Sequence, residues 1–204
     1  MISNSSDEYL TIKSLVRSKR KVEGSIFIAT AIPINSEEDA KDWIQKISSE
    51  FFDATHNCFA YRIKKTQDES FKFSDAGEPR GTAGKPILSA IQSENLYDVL
   101  VVVTRYFGGV KLGTGGLSRA YRQSAQSVLR KAEKVTRWIT SEITFSYPLN
   151  MTGKVNQIFG KYGIPVKDQS YEDSPIAKIV VRISLLEKIK KALVEATNGQ
   201  VKFK

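Results

Sequence analysis

Residues 99–121 read Val99-Leu100-Val101-Val102-Val103-Thr104-Arg105-Tyr106-Phe107-Gly108-Gly109-Val110-Lys111-Leu112-Gly113-Thr114-Gly115-Gly116-Leu117-Ser118-Arg119-Ala120-Tyr121. Val99–Val103 is an apolar, largely β-branched run of strand length, the pattern of a strand buried on both faces rather than of a half-exposed edge. Arginine and glycines follow it, and a helix is expected to begin near Leu117. From there Leu117, Ala120, Tyr121, Ala125, Val128 and Ala132 recur at helical spacing, with Arg119, Arg122, Gln126 and Arg130 on another face. The stretch therefore predicts strand, glycine loop and helix N-terminus in succession. The open N–H groups and partial positive charge of a first helical turn attract anions. Glycines there otherwise serve only to turn the chain. The local charge favours the anion: from Arg105 to Arg137 there are eight Lys/Arg and a single acid, Glu133. The phosphate-binding candidates are Arg105, Lys111, Gly113, Gly115, Gly116, Arg119 and Arg122. Tyr106 and Phe107 would stack on bases if exposed; beside a β-branched strand, the leading reading places them in the core.

Outward from this centre the chain reads as α+β in two parts. Its 204 residues carry a net charge of +9, with 41% hydrophobic and 26% charged residues. That composition belongs to globular domains with anionic partners, nucleic acid ahead of a membrane surface. The lone cysteine, Cys58, rules out an internal disulfide and fits a reducing compartment. No apolar run reaches transmembrane length, and the polar residues 1–8 are read as a frayed end rather than a secretory signal, which makes the cytoplasm the expected location.

Toward the N-terminus, two β-rich runs flank the basic knot Arg17-Ser18-Lys19-Arg20-Lys21, read as a solvated turn, with Ser25–Ile32 the stronger strand. Ser36 followed by Glu37, Glu38 and Asp39 signals a helix start, and Ala40, Trp43, Ile44, Ile47 and Phe51 mark its core face. His56 and Cys58 lie two apart on a strand and so share a face. Ser74–Pro86 is a second Gly/Pro loop, expected at the surface, with a helix from Pro86 through Ile87, Leu88 and Ile91.

Past a linker expected near 135–141, residues 138–204 read β-α-β-β-α-β. Strands are expected at 141–147, 166–171, 176–183 and 200–203. Helices are expected at 152–162 and after a capping box Ser184-Leu185-Leu186-Glu187, the second stopping at Asn198-Gly199. This is the order of a ferredoxin-like sandwich. The domain boundary is placed between residues 137 and 138.

A second set of pocket candidates is His56, Cys58, Asp75, Glu78 and Tyr106. A Cys/His nucleophile pair needs the two side chains within hydrogen-bond reach, and a zinc site needs Asp75 or Glu78 to complete its ligands. The plainer roles are a small buried thiol, a hydrogen-bonded histidine and loop carboxylates that accept backbone N–H groups. No Walker A or dinucleotide-type glycine motif occurs, and no complete catalytic set is legible, so neither a metal nor a cofactor is expected.

Three segments together, His56–Arg62, Asp75–Leu88 and Val103–Tyr121, resemble the YigZ/IMPACT family, in this order and over nearly the whole chain. The resemblance implies an N-terminal domain, residues 1–137, similar to domain 2 of ribosomal protein S5. It also implies a ferredoxin-like C-terminal domain, residues 138–204, similar to those of elongation factor G. Where the family loop commonly carries two successive acids before Gly-Glu-Pro, this chain has Ala76 after Asp75. The expected function is a non-enzymatic RNA- or ribosome-associated regulator of translation. The alternatives are an enzyme on a phosphorylated or nucleotide substrate, or a module for a protein partner, as the resemblance to eukaryotic IMPACT implies.

Overall fold

A computed structural model of the chain describes residues 7–66, 68–169 and 174–204. Expectations for residues 1–6 and for the end of the strand and the turn at 170–173 lie outside them. The chain divides into two compact units, Tyr9–Arg137 and Trp138–Lys204, the latter together with Asp7 and Glu8.

In the larger unit, β2 (Val16–Val22), β3 (Ser25–Pro33), β4 (His56–Lys64), β5 (Glu69–Ser74) and β6 (Val99–Tyr106) form one antiparallel sheet of order β2-β3-β6-β4-β5. The short strands β1 (Glu8–Ile12) and β7 (Lys134–Trp138) pair as a separate ribbon. Three helices cover the sheet: α1 (Glu37–Glu50) on one face, α2 (Gly84–Ser93) and α3 (Gly113–Lys131) on the other. β6 is central, and its pleat divides its side chains between the two cores. Val99, Val101 and Val103 pack with α2 and α3, while Leu100 and Val102 pack with the α1 side. This explains a continuous apolar run in a sheet with no parallel pair: both faces are covered by helices.

The start of α1 follows its sequence signal. Ser36 Oγ accepts the Asp39 N–H at 3.0 Å, and three acids occupy the first turn. The basic knot at 17–21 is not a turn but the body of β2, an edge strand whose cations discourage pairing with another chain. The turn falls later, at Glu23-Gly24, both with positive φ (44° and 80°), as a two-residue hairpin requires. Helix α3 begins at Gly113 rather than near Leu117, so three glycines lie inside its first turn. Residues 135–141, expected to be a linker, are occupied by β7 and the start of the next strand.

The smaller unit contains β8 (Thr140–Ser146), α4 (Thr152–Tyr162), β9 (Val166–Gln169), β10 (Ile176–Arg182), α5 (Leu186–Ala196) and β11 (Lys202–Phe203). Its antiparallel sheet has the order β11-β8-β10-β9. Phe145, Ala177, Ile179 and Val181 on one sheet face pack with Val155, Ile158 and Phe159 of α4 and Ile189 and Leu193 of α5. Gly163, at φ 59°, ends α4 in the left-handed conformation. The capping box at Ser184 does not form. Residues Ile183–Leu185 make a 3₁₀ turn, and the Ser184 hydroxyl donates to Asp7 at 2.5 Å instead of capping α5.

Candidate functional site

Two groups of candidate residues separate in space, one inside the larger unit and one on its helical face. The inner group gathers where β3, β4, β6, α3 and the loop before α2 converge. Glu78 accepts from Arg105 Nη1 at 2.6 Å and from the Tyr121 hydroxyl at 2.8 Å, with the Glu78 and Arg105 side chains only 3% and 6% exposed. Arg105 Nη2 donates to Ser25 Oγ at 3.3 Å, and its buried Nε has no hydrogen-bond partner among the described residues. Arg105, expected to contact phosphate, is thus withdrawn into an internal ion pair. Burial and a carboxylate partner outcompete exposure for this one cation.

Cys58 donates its S–H to the Asp75 carbonyl at 2.9 Å and lies 3.5 Å from the Tyr121 hydroxyl. Burial, aided by the charges of Glu78 and Asp75, pushes the thiol up to about 12, so the thiolate needed for nucleophilic attack is suppressed. Burial also drives the Tyr121 phenol far upward, with Cys58 and Glu78 adding to the effect. His56 shares the face of Cys58, as its strand position requires. Its Nδ1 is 2.9 Å from the Ala76 carbonyl, while Nε2 lies 4.0 Å from Glu78. The ring is therefore held to the loop and not to the thiol.

The Asp75 carboxylate accepts three backbone N–H groups, those of Gly81, Ala83 and Gly84, at 2.7–2.9 Å. Partial burial opposes its ionisation, but these donors prevail and hold the carboxyl below its ordinary value. Asp75 thereby occupies the start of α2, and the loop expected at the surface is folded inward there. Glu78, Thr82, Ala83 and Gly84 are buried, and a Cβ on Gly84 would meet the Ser74 backbone at 2.8 Å. Among the described residues no group of three or more His, Cys, Asp or Glu side chains is placed to hold a metal ion.

The outer group lies on α2, α3 and the loop before α3. A groove of about 330 Å³ is lined by Lys85, Pro86, Ser89, Ser118, Arg119 and Arg122, with Gly81 at its rim. A neighbouring groove of about 350 Å³ includes Lys111, Leu112, Gly116, Arg119 and Gln123 in its lining. Arg119 belongs to both. Its Nη1 lies over the first turn of α3, where a Cβ on Gly115 would sit 3.5 Å from it. Neither α2 nor α3 has an N-cap side chain or an acid in its first turn, but the first amides of α2 are taken by the Asp75 carboxylate and no such carboxylate serves α3 among the described residues. Lys85, Lys111, Arg119 and Arg122 make no ion pair among the described residues. Lys13, Arg17, Arg62, Lys134 and Arg137, by contrast, are each matched to a carboxylate.

Lys85 was not legible as a site residue because it stands in the other glycine loop, and only the packing of α2 beside α3 brings it to Arg119. Tyr106 and Phe107 are not core residues. The Tyr106 hydroxyl donates to Asp53 at 2.8 Å, and Phe107 is 49% exposed with the Arg105 guanidinium 5.5 Å from its ring centre. Gly108 sits against the Gly24 turn so closely that a Cβ would fall 1.9 Å from the Gly24 carbonyl carbon, which admits only glycine.

Residues 23–129 match the family profile described as the Impact N-terminal domain. The chain is 34% identical to the IMPACT family member YvyE of Bacillus subtilis over 196 residues, covering 96% of this chain and 90% of that one. It is 26% identical to the IMPACT family member YigZ of Escherichia coli, covering 90% of each. A crystal structure of a hypothetical protein superposes with a TM-score of 0.75 at 25% identity, covering 96% of both chains.

Proposed function

The chain belongs to the IMPACT family, and from that premise we propose that it is a cytoplasmic, non-enzymatic RNA- or ribosome-associated regulator of translation. It holds a phosphate backbone through Lys85, Lys111, Arg119 and Arg122 and the open amides at the start of α3. The observation that carries this reading is the set of four unmatched cations spread over two grooves that meet at Arg119. Four cations against one acid, Glu23, in the two linings, beside a helix start with no side-chain cap, create a net positive potential suited to phosphate oxygens. The strand order β11-β8-β10-β9 supports a ferredoxin-like reading of residues 138–204, while the S5-like reading of residues 1–137 rests on the family resemblance. Both are folds that the family resemblance associates with the ribosome. The inner cluster supports no chemistry, because its thiol is kept protonated and its carboxylates are engaged.

The test is a salt titration of binding to single-stranded RNA, duplex RNA, duplex DNA and purified ribosomes, with wild type beside Lys111→Ala/Arg119→Ala. RNA or ribosome binding that falls steeply with salt and is lost in the double variant is the expected result. The slope against log salt should shallow by about 0.7 for each single-strand phosphate contact removed. No binding at low salt refutes the reading.

A protein-partner role is the second reading. It is favoured by Phe71 and Phe73, 50% and 40% exposed on the edge strand β5. Binding to a protein target that survives nuclease and high salt would establish it.

A further inference from the structure

We infer that the groove between α3 and the β2–β3 turn is a guanine site, taking a guanosine nucleotide with its phosphate on Lys111 and Arg119 and its base edge on Glu23 and Gln123; this rests on the phosphate-contact reading above. One wall of the groove is a face of α3, where Gly116, Arg119 and Gln123 follow at helical spacing. The other is made by Val22 and Glu23 of the β2–β3 turn and by the segment 110–112. Gly108, packed against Gly24, ties that segment to the turn.

The groove is mixed in charge. Lys111 and Arg119 share it with Glu23, which is exposed and forms no ion pair among the described residues. A site for phosphate alone has no use for a carboxylate, which repels it. Nor does the turn call for one. Glu23 stands at φ 44°, a conformation that two-residue hairpins ordinarily give to Asn, Asp or Gly. A ligand that satisfies all three charged groups carries an anion at one end and hydrogen-bond donors at the other. A nucleotide is such a ligand, and Val22, Val110, Leu112 and Ala120 offer its base an apolar surface.

Gln123 narrows the choice of base. Its Oε1 accepts from Arg20 Nη2 at 3.0 Å, and because arginine has no acceptor, the amide oxygen is the atom that must turn toward it. The amide nitrogen is left as the donor for the groove. The carboxylate of Glu23 only accepts, and it does so through two oxygens. The pairing edge of guanine presents the O6 acceptor, the N1 donor and the N2 amine in a row. Gln123 donates to O6, and the two donors enter the carboxylate side by side. Adenine and cytosine each set one donor beside a ring acceptor, so the second carboxylate oxygen meets a lone pair. Uracil flanks its single donor with two carbonyls. Guanine alone fills both oxygens.

The experiment measures binding of the full chain, at one low ionic strength, to oligo(rU) strands of equal length whose central residue is guanosine, inosine, adenosine or uridine, with free GMP beside them. The guanosine strand is expected to bind about tenfold more tightly than the adenosine and uridine strands, the weak end of a charge-assisted hydrogen bond. Inosine, which lacks the N2 amine, should lose most of that gain. Glu23→Gln should move the strands in opposite directions. Removing an acid from a basic groove tightens the all-uridine strand by about twofold, yet it cuts the guanosine preference to about threefold or less. Equal affinity for all four strands in wild type, a guanosine preference that survives Glu23→Gln, or tightening of every strand by the same factor overturns the guanine site and leaves the phosphate-contact reading standing. GMP bound as tightly as the guanosine strand, with the same dependence on Glu23, supports the site and assigns it to free nucleotide; much weaker GMP binding assigns it to the strand. Absence of binding to every probe removes the phosphate-contact reading, and this inference with it.

Discussion

Removing the Glu78 carboxylate strands a buried cation that has no chemical escape. In Glu78→Ala the Arg105 guanidinium keeps its charge, since arginine does not deprotonate in proteins. It retains Ser25 Oγ at 3.3 Å as a partner, with Nε already unmatched, while its side chain is only 6% exposed. Tyr121 also loses its acceptor at 2.8 Å. Breaking a buried pair on one side typically costs about 3–5 kcal/mol. With a urea dependence of about 2 kcal/mol per molar, the unfolding midpoint of the larger unit should drop by roughly 2 M. Trp43 on α1 reports that unit alone in a Trp138→Phe background. Replacing both partners, Glu78→Leu with Arg105→Met, removes the stranded charge and should recover at least half of the loss. A Glu78→Ala midpoint within about 0.5 M of wild type, or a double variant no better than the single one, would refute the clamp.

Asp75→Asn should destabilise the larger unit by about 1 kcal/mol at neutral pH, the usual worth of a carboxylate serving helix-start amides. Because the folded Asp75 carboxyl lies below its ordinary value, its contribution is complete above the unfolded value near ~3.9 and disappears as pH falls through the folded one. Urea midpoints between pH 5 and 3 should therefore fall less in Asp75→Asn than in wild type; equal slopes would contradict the amide contacts. Cys58, buried and pushed up to about 12, should resist iodoacetamide at pH 8 until urea unfolds the unit, and rapid labelling of the native chain would show the thiol to be exposed.

Local features carried much of the fold into the sequence. Val99–Val103 announced a strand covered on both sides, and Ser36 with its three acids announced α1. What failed was settled by distant partners. The first turn of α3 is written in glycines, poor helix formers that sequence reading assigns to loops; yet Gly116 is wanted there, because a Cβ would press to 3.2 Å from the Leu112 Cβ. Arg105 looked like its neighbours in a basic segment, and only the return of the loop carrying Glu78 distinguishes it. Ser184 had the spacing of a cap, but its hydroxyl turned to Asp7, far away in the chain. At the candidate site, Lys111, Arg119 and Arg122 were readable as a charge cluster, whereas Lys85 joined them through the α2–α3 contact.

The strand order of the larger unit also sets a schedule for its synthesis. β6 lies between β3 and β4 yet follows both in the chain, so that Ile26, already opposite Lys21 in the β2–β3 hairpin, meets its second neighbour, Tyr106, eighty residues later. Until β6 leaves the ribosome, the hairpins β2–β3 and β4–β5 wait as separate halves, each with a sticky interior edge and no neighbour to satisfy it. Nascent chains ending before β6 are therefore the natural clients of a chaperone, and the arrival of one valine-rich strand closes both edges at once.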